Sequence, residues 1–154
     1  HGFLTQGFGK SSSEPIMGLG KDMTSDYRSA ALQVRYQAGT SDDIVIQLSH
    51  NRVGSSLLND IAPEVEMDWA FWQHRFGSIS TRIGKVPMPR GMYNEIRDVG
   101  TLIPFYRAPV NIYSEGYETI DGAVLAHSMD LGRWGLGTEL YAGSWKGIEL
   151  DFGD

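Results

Sequence analysis

The chain has no cysteine, which excludes disulfides and thiolate metal sites. It has no apolar run of roughly 18 residues or more, the length a transmembrane helix needs. It also has no basic surplus. Thirteen Lys and Arg face 19 Asp and Glu, for a formal net charge of -6. A nucleic-acid-binding surface usually carries the opposite balance, so no nucleic-acid partner is expected. Motifs for catalysis or cofactor binding are missing too. Gly9-Lys10-Ser11 ends like a phosphate loop, but the upstream position that needs glycine holds Leu4. Gly20-Lys21 is followed by Asp22. His1, His50, His74 and His127 lie far apart, with no metal-ligand spacing. No G-x-S-x-G elbow occurs. The chain is not expected to be an enzyme or to hold a cofactor or metal.

What is present is two-residue alternation, broken by turn residues. From Tyr27 to Ala38, Ala30, Leu32, Val34, Tyr36 and Ala38 oppose Tyr27, Ser29, Ala31, Gln33, Arg35 and Gln37. From Asp43 to Asn51, Ile44, Ile46 and Leu48 oppose Val45, Gln47, Ser49 and Asn51. From Val65 to Phe76, the apolar set reads as Val65, Met67, Trp69 and Phe71. Glu66, Asp68, Ala70, Trp72 and His74 stand against it. Ile79, Thr81 and Ile83 follow, opposed by Ser80 and Arg82. Runs over 119–129 and 134–145 and a short one over 2–8 complete about seven strands, with Gly135, Gly137, Glu139, Tyr141 and Gly143 forming one face of the last. The fold class is therefore all-β and antiparallel.

The connections alternate long and short: 9–26, 39–42, 52–63, 77–78, 87–118 and 130–133. An up-and-down meander with every tight turn at one end gives this order. It is the layout of a transmembrane β-barrel, with short periplasmic turns and long external loops. Strands of about 9–12 residues also suit a tilted crossing of the bilayer. Tyr36, Phe71 and Trp134 fall near the short turns, where an interfacial aromatic girdle belongs. Arg28 and Lys85 are the charges on the apolar faces, both at the long-loop rim. A soluble antiparallel barrel or sandwich has the same alternation, but not the same loop order.

Arg82-Ile83-Gly84-Lys85 is followed by a Pro-rich stretch containing Gly91-Met92-Tyr93-Asn94-Glu95. Then come Arg97-Asp98 and the Pro-flanked Arg107. This segment resembles Gram-negative outer-membrane porins, in particular those related to the phosphate-selective type. The opening His1-Gly2-Phe3-Leu4-Thr5-Gln6-Gly7-Phe8 is similar to the first strand of such porins. The resemblance spans most of the chain, with motifs that are degenerate outside 82–107. It implies a bacterial outer-membrane channel passing small hydrophilic solutes. It also implies a homotrimer in contact with membrane lipid and lipopolysaccharide, and a barrel of about 16 to 18 strands. Residues 1–154 then form the N-terminal part of a single barrel domain. Seven strands alone leave unpaired edges that lipid does not tolerate.

Selectivity in such a channel resides in inward-facing charges and in any loop folded into the pore. The stretch 87–118 is the candidate constriction loop. From Lys85 to Arg107, the cations Lys85, Arg90, Arg97 and Arg107 outweigh Glu95 and Asp98. With Arg82 on the lumen face they suggest a basic patch. Guanidinium groups bind carboxylate and phosphate in a bidentate manner, so a weak preference for anions is expected. Tyr93 and Asn94 belong to the same stretch. Glu66, Asp68, His74, Glu139 and Tyr141 are expected to line the lumen. The structural alternative has Arg97 and Asp98 pinning the loop to the wall, and Asn94 and Glu95 capping a turn. Two other functions fit the pattern: a barrel that binds or adheres through its external loops, and a soluble β-barrel that holds a ligand inside.

Overall fold

The computed structural model describes residues 1–16, 18–57, 59, 64–88, 94 and 118–145. Its elements are seven strands: β1 (Gly2–Gly9), β2 (Thr24–Gln37), β3 (Asp42–Val53), β4 (Glu66–Phe76), β5 (Ile79–Pro87), β6 (Thr119–Leu131) and β7 (Trp134–Ser144). They form one antiparallel sheet in the order β1-β2-β3-β4-β5-β6-β7. Each strand lies beside its neighbours in sequence, and β1 and β7 are open edges. The connections run 10–23, 38–41, 54–65, 77–78, 88–118 and 132–133, so the long-short alternation expected from the sequence is present.

Local chemistry accounts for the tight turns. The hairpins β4–β5 and β6–β7 close through two residues, since Phe76 pairs with Ile79 and Leu131 with Trp134. The first turn residue of each is a glycine with positive φ, Gly77 at 59° and Gly132 at 68°. That backbone region suits the right-handed twist of two-residue hairpins and is open to glycine at no steric cost. At the opposite end, the first two long loops are tied together. Ser55 N–H donates to Gly18 O at 2.9 Å. The Asn59 side chain accepts from Val53 N–H at 3.0 Å and donates to Gly54 O at 2.6 Å.

On β3 several polar side chains are buried and the aliphatic ones beside them are exposed. On β3, Gln47 is 2% exposed and Ile46 beside it is 42% exposed. Asp43 and Ser49 are buried on the same face as Gln47, whereas Ile44 and Leu48 are exposed on the other. The register extends this apolar face across the sheet. Leu32 pairs with Leu48, Val34 with Ile46 and Tyr36 with Ile44. Ile44 pairs with Trp72, Trp72 with Ile83, and Leu125 with Leu140. These side chains are all exposed.

One strand departs from the expected faces. Gln47 pairs with Trp69 but Leu48 pairs with Met67, so β4 carries one extra residue at Asp68. A bulge of this kind shifts the two-residue phase. Val65 and Met67 stay on the exposed apolar face, but Phe71 turns to the other side and is 8% exposed. Trp72 takes its place on the apolar face, and His74 goes with it. The sequence-based placement of Phe71 in the aromatic girdle and of His74 in the lumen is thus corrected by a single inserted residue.

The small apolar core lies on the polar side. Val45, Phe71, Val86, Ile120 and Val124 are buried there, with Trp69, Met88 and Tyr141 packed against them. Next to it runs a row of bare backbone, since Phe71 pairs with Gly84, Gly84 with Gly122, and Gly122 with Gly143. A Cβ on Gly122 would lie 2.1 Å from Ala142 O. The strands therefore approach there more closely than any side chain allows, which is how a glycine row lets a sheet curve.

Candidate pore-facing surface

The polar face is organised by cross-strand pairing. Gln33 pairs with Gln47, and Gln47 with Trp69 beside the bulged Asp68. Short polar side chains on adjacent strands meet at this spacing. Gln33 Nε2 donates to Gln47 Oε1 at 3.0 Å. Gln47 Nε2 donates to Asp68 Oδ2 at 3.0 Å, and Ser49 Oγ to Asp68 Oδ1 at 2.6 Å. Further along the face, Arg75 Nη1 lies 2.5 Å from Asp43 Oδ2. Arg82 Nη2 lies 2.5 Å from Glu139 Oε1, and Tyr141 O–H donates to the other oxygen of that carboxylate. Among the described residues, no buried side-chain nitrogen or oxygen lacks a partner.

The candidate residues fall into four places. Arg82, Glu139 and Tyr141 come together on the polar face, two strands apart in the sheet. Asp68 joins the Gln33–Gln47–Ser49 network on the same side. Lys85 has the register of Ala70 and Asp121 and shares the face of Ile83, opposite Arg82. Its ammonium donates to Met67 O at 2.6 Å and lies 3.8 Å from Glu66 Oε1. Asn94 is 3% exposed and fastens the root of the long loop. Its amide donates to Met88 O at 2.6 Å and to Glu118 O at 2.9 Å, and Met88 N–H donates to Glu118 O. Arg90, Tyr93, Glu95, Arg97, Asp98 and Arg107 lie outside the described residues, as does most of the stretch 87–118.

Sequence reasoning passed over several residues on this face. Gln33, Gln47 and Ser49 sat in the polar phase of their strands but carry no charge. Asp43 and Arg75 gave no local sign of pairing, since 32 residues separate them. Arg35 shares the row of Val45 and Phe71 and makes no ion pair with a described residue. Outside the polar face, Asp26, Arg28, His50 and Arg52 form a cluster at the long-loop end. Arg52 Nη2 lies 2.6 Å from Asp26 Oδ2, Arg28 Nη1 lies 3.3 Å from Asp26 Oδ1, and Arg28 Nε donates to His50 Nε2. Arg28 thus stands at the rim of the apolar face, as the sequence suggested.

The charges of the polar face can be sorted by compensation. Arg75 is neutralised by Asp43 and Arg82 by Glu139. Among the described residues, Asp68 receives hydrogen bonds from an amide and a hydroxyl and takes part in no ion pair. Asp130, in register with Gly135, and Arg35 likewise form no ion pair among the described residues. Comparison with family models, curated proteins and solved structures finds no match for this chain.

Proposed function

We propose that the chain is part of a transmembrane β-barrel that serves as an outer-membrane diffusion channel of the porin type. The inverted burial on β3 carries this reading. A soluble sheet with one wet face buries its aliphatic side chains and exposes its amides and carboxylates. Here Ile44, Ile46 and Leu48 are exposed, and Asp43, Gln47 and Ser49 are buried. A face of Leu, Ile, Val and aromatic side chains across seven strands is far larger than the apolar patches of soluble monomers, and lipid is the solvent that suits it.

Three further features support the same reading. The tight turns share one end of the sheet, and Tyr36, Trp72, Phe76 and Trp134 are exposed near that end, where an aromatic girdle would meet the interface. The rim cluster Asp26–Arg28–His50–Arg52 sits at the other end, suited to headgroup or lipopolysaccharide phosphates. The polar face offers hydrogen-bonding and charged groups to a wet lumen, and no catalytic role is proposed for them. Further strands of the same barrel would pair the open edges of β1 and β7, since a bilayer requires every backbone group to be satisfied. The homotrimer implied by the porin resemblance belongs to the same proposal.

The stretch 87–118 is proposed as the constriction loop. Its root is fastened by Asn94, and beside that root Val86, Ile120 and Val124 make a buried apolar island on an otherwise polar face. Such an island is a natural seat for a loop turned inward. The experiment is direct: the intact protein carrying this sequence, purified in detergent, is added to a planar bilayer. Stepwise conductance increments are expected. An intact protein that gives no steps, and stays monodisperse without detergent, contradicts the proposal.

A further inference from the structure

We infer that Asp68 is a specificity-determining residue of the pore-facing surface, a fixed carboxylate that favours small cations and protonated amines over anions. The inference rests on the channel reading given above. It departs from the anion preference that the Arg-rich composition of 82–107 suggests.

Four observations carry it. First, the bulge in β4 brings Asp68 onto the same face as Trp69 and Phe71, and bulges recur where a strand has to re-aim one side chain. Second, the carboxylate is held on both oxygens, by Gln47 Nε2 at 3.0 Å and Ser49 Oγ at 2.6 Å. Gln33 in turn fixes the Gln47 amide. A carboxylate has about four lone-pair sites, of which the described residues occupy two. Third, every donor in this network is neutral. Among the described residues, the groups facing Asp68 are Gln33 from β2, Gln47 and Ser49 from β3, and Trp69 from its own strand. The Lys85 ammonium belongs to the opposite face and is bonded to Met67 O. Fourth, two arginines of this face are paired, Arg82 with Glu139 and Arg75 with Asp43; Arg35, two positions along β2 from Gln33, is the cation of this face with no ion pair among the described residues, and no hydrogen bond from it to Asp68 is formed there.

The distinction between paired and unpaired charge decides the selectivity. A salt bridge acts on a passing ion as a dipole, and its field fades within a few ångströms. An uncompensated carboxylate acts as a monopole over a Debye length, about 10 Å at 0.1 M salt. At roughly 7 Å in water-like dielectric, a monopole stabilises a cation and destabilises an anion by close to RT before screening. After screening, that amounts to roughly a threefold change in the cation-to-anion ratio.

The test uses the absence of cysteine from the chain. Ala31 is in register with Ser49 on the same face, so Ala31→Cys places a thiol beside the network. The rates of modification by a cationic and an anionic methanethiosulfonate are compared with Asp68 and with Asp68→Asn. The cationic reagent is expected to be favoured, and Asp68→Asn to reduce that advantage roughly threefold. Asp68→Glu should restore it. In planar bilayers, Asp68→Asn should lower the cation-to-anion permeability ratio by a similar factor, whereas the charge-neutral double change Arg82→Gln/Glu139→Gln should leave it unchanged. A thiol-reactivity ratio indifferent to Asp68→Asn overturns the inference. So does a double change that shifts permeability as much as Asp68→Asn. A wild-type protein without current defeats the channel reading instead, and the thiol reagents still read the charge at Asp68.

Discussion

At the scale of single residues, neighbours on one strand have opposite requirements. Ile46 and Gln47 are adjacent on β3, yet the apolar one is exposed and the polar one buried. If the exposed face meets lipid, a charge placed at Ile46, well inside the strand, has to be taken into hydrocarbon. Ile46→Arg is expected to cost about 2–4 kcal/mol, as arginine does at the lipid face of a membrane barrel near mid-bilayer. Urea titration of the protein folded into lipid vesicles measures it. On a water-facing surface the same change stays within about 0.5 kcal/mol, and that small value would speak against the lipid-facing assignment. The residue-level pattern was legible in sequence on β2 and β3, because unbroken alternation fixes which side chains share a face. The partners on the polar face were not. Arg82 and Glu139 are 57 residues apart, and only the folded register brings them together.

At the scale of elements, hairpins are local and bulges are not. Gly77-Ser78 and Gly132-Arg133 mark their own turns, since a positive φ at the first position selects glycine. The insertion at Asp68 leaves no such mark. Glu66 to Phe76 alternates as smoothly on paper as an unbroken strand. The extra residue is forced by the opposing register on β3, which places Leu48 beside Met67 and Gln47 beside Trp69. Trp69 and Phe71 look equally apolar on either side, so composition does not betray the change of phase. The glycine row is a second element-level device. At Gly122 the added methyl of an alanine would press on Ala142 O from 2.1 Å and on the Gly143 Cα from 2.6 Å. Both are backbone atoms that cannot rotate away. Gly122→Ala is expected to destabilise the sheet by about 1–3 kcal/mol, the usual cost of overpacking, seen as a lower midpoint in the same urea titration. Gly135→Ala has open space around it and serves as the control that should change little.

At the scale of the whole molecule, seven antiparallel strands form one open sheet with an apolar face, a polar face, and all short turns at one end. Loop lengths and alternation made this much readable from the sequence, because both depend only on residues close together in the chain. The central claim is that the apolar face contacts lipid and the polar face contacts water. The most direct measurement attaches a nitroxide to single cysteines introduced one by one from Asp43 to Ser49 in the intact, membrane-inserted protein. Collisions with dissolved oxygen and with a water-soluble nickel chelate are then recorded at each site. Oxygen should dominate at positions 44, 46 and 48 and the chelate at 43, 47 and 49, whereas 45, within the apolar core beside Phe71, should be shielded from the chelate. Chelate access at 44, 46 and 48 equal to that at their neighbours would contradict the account.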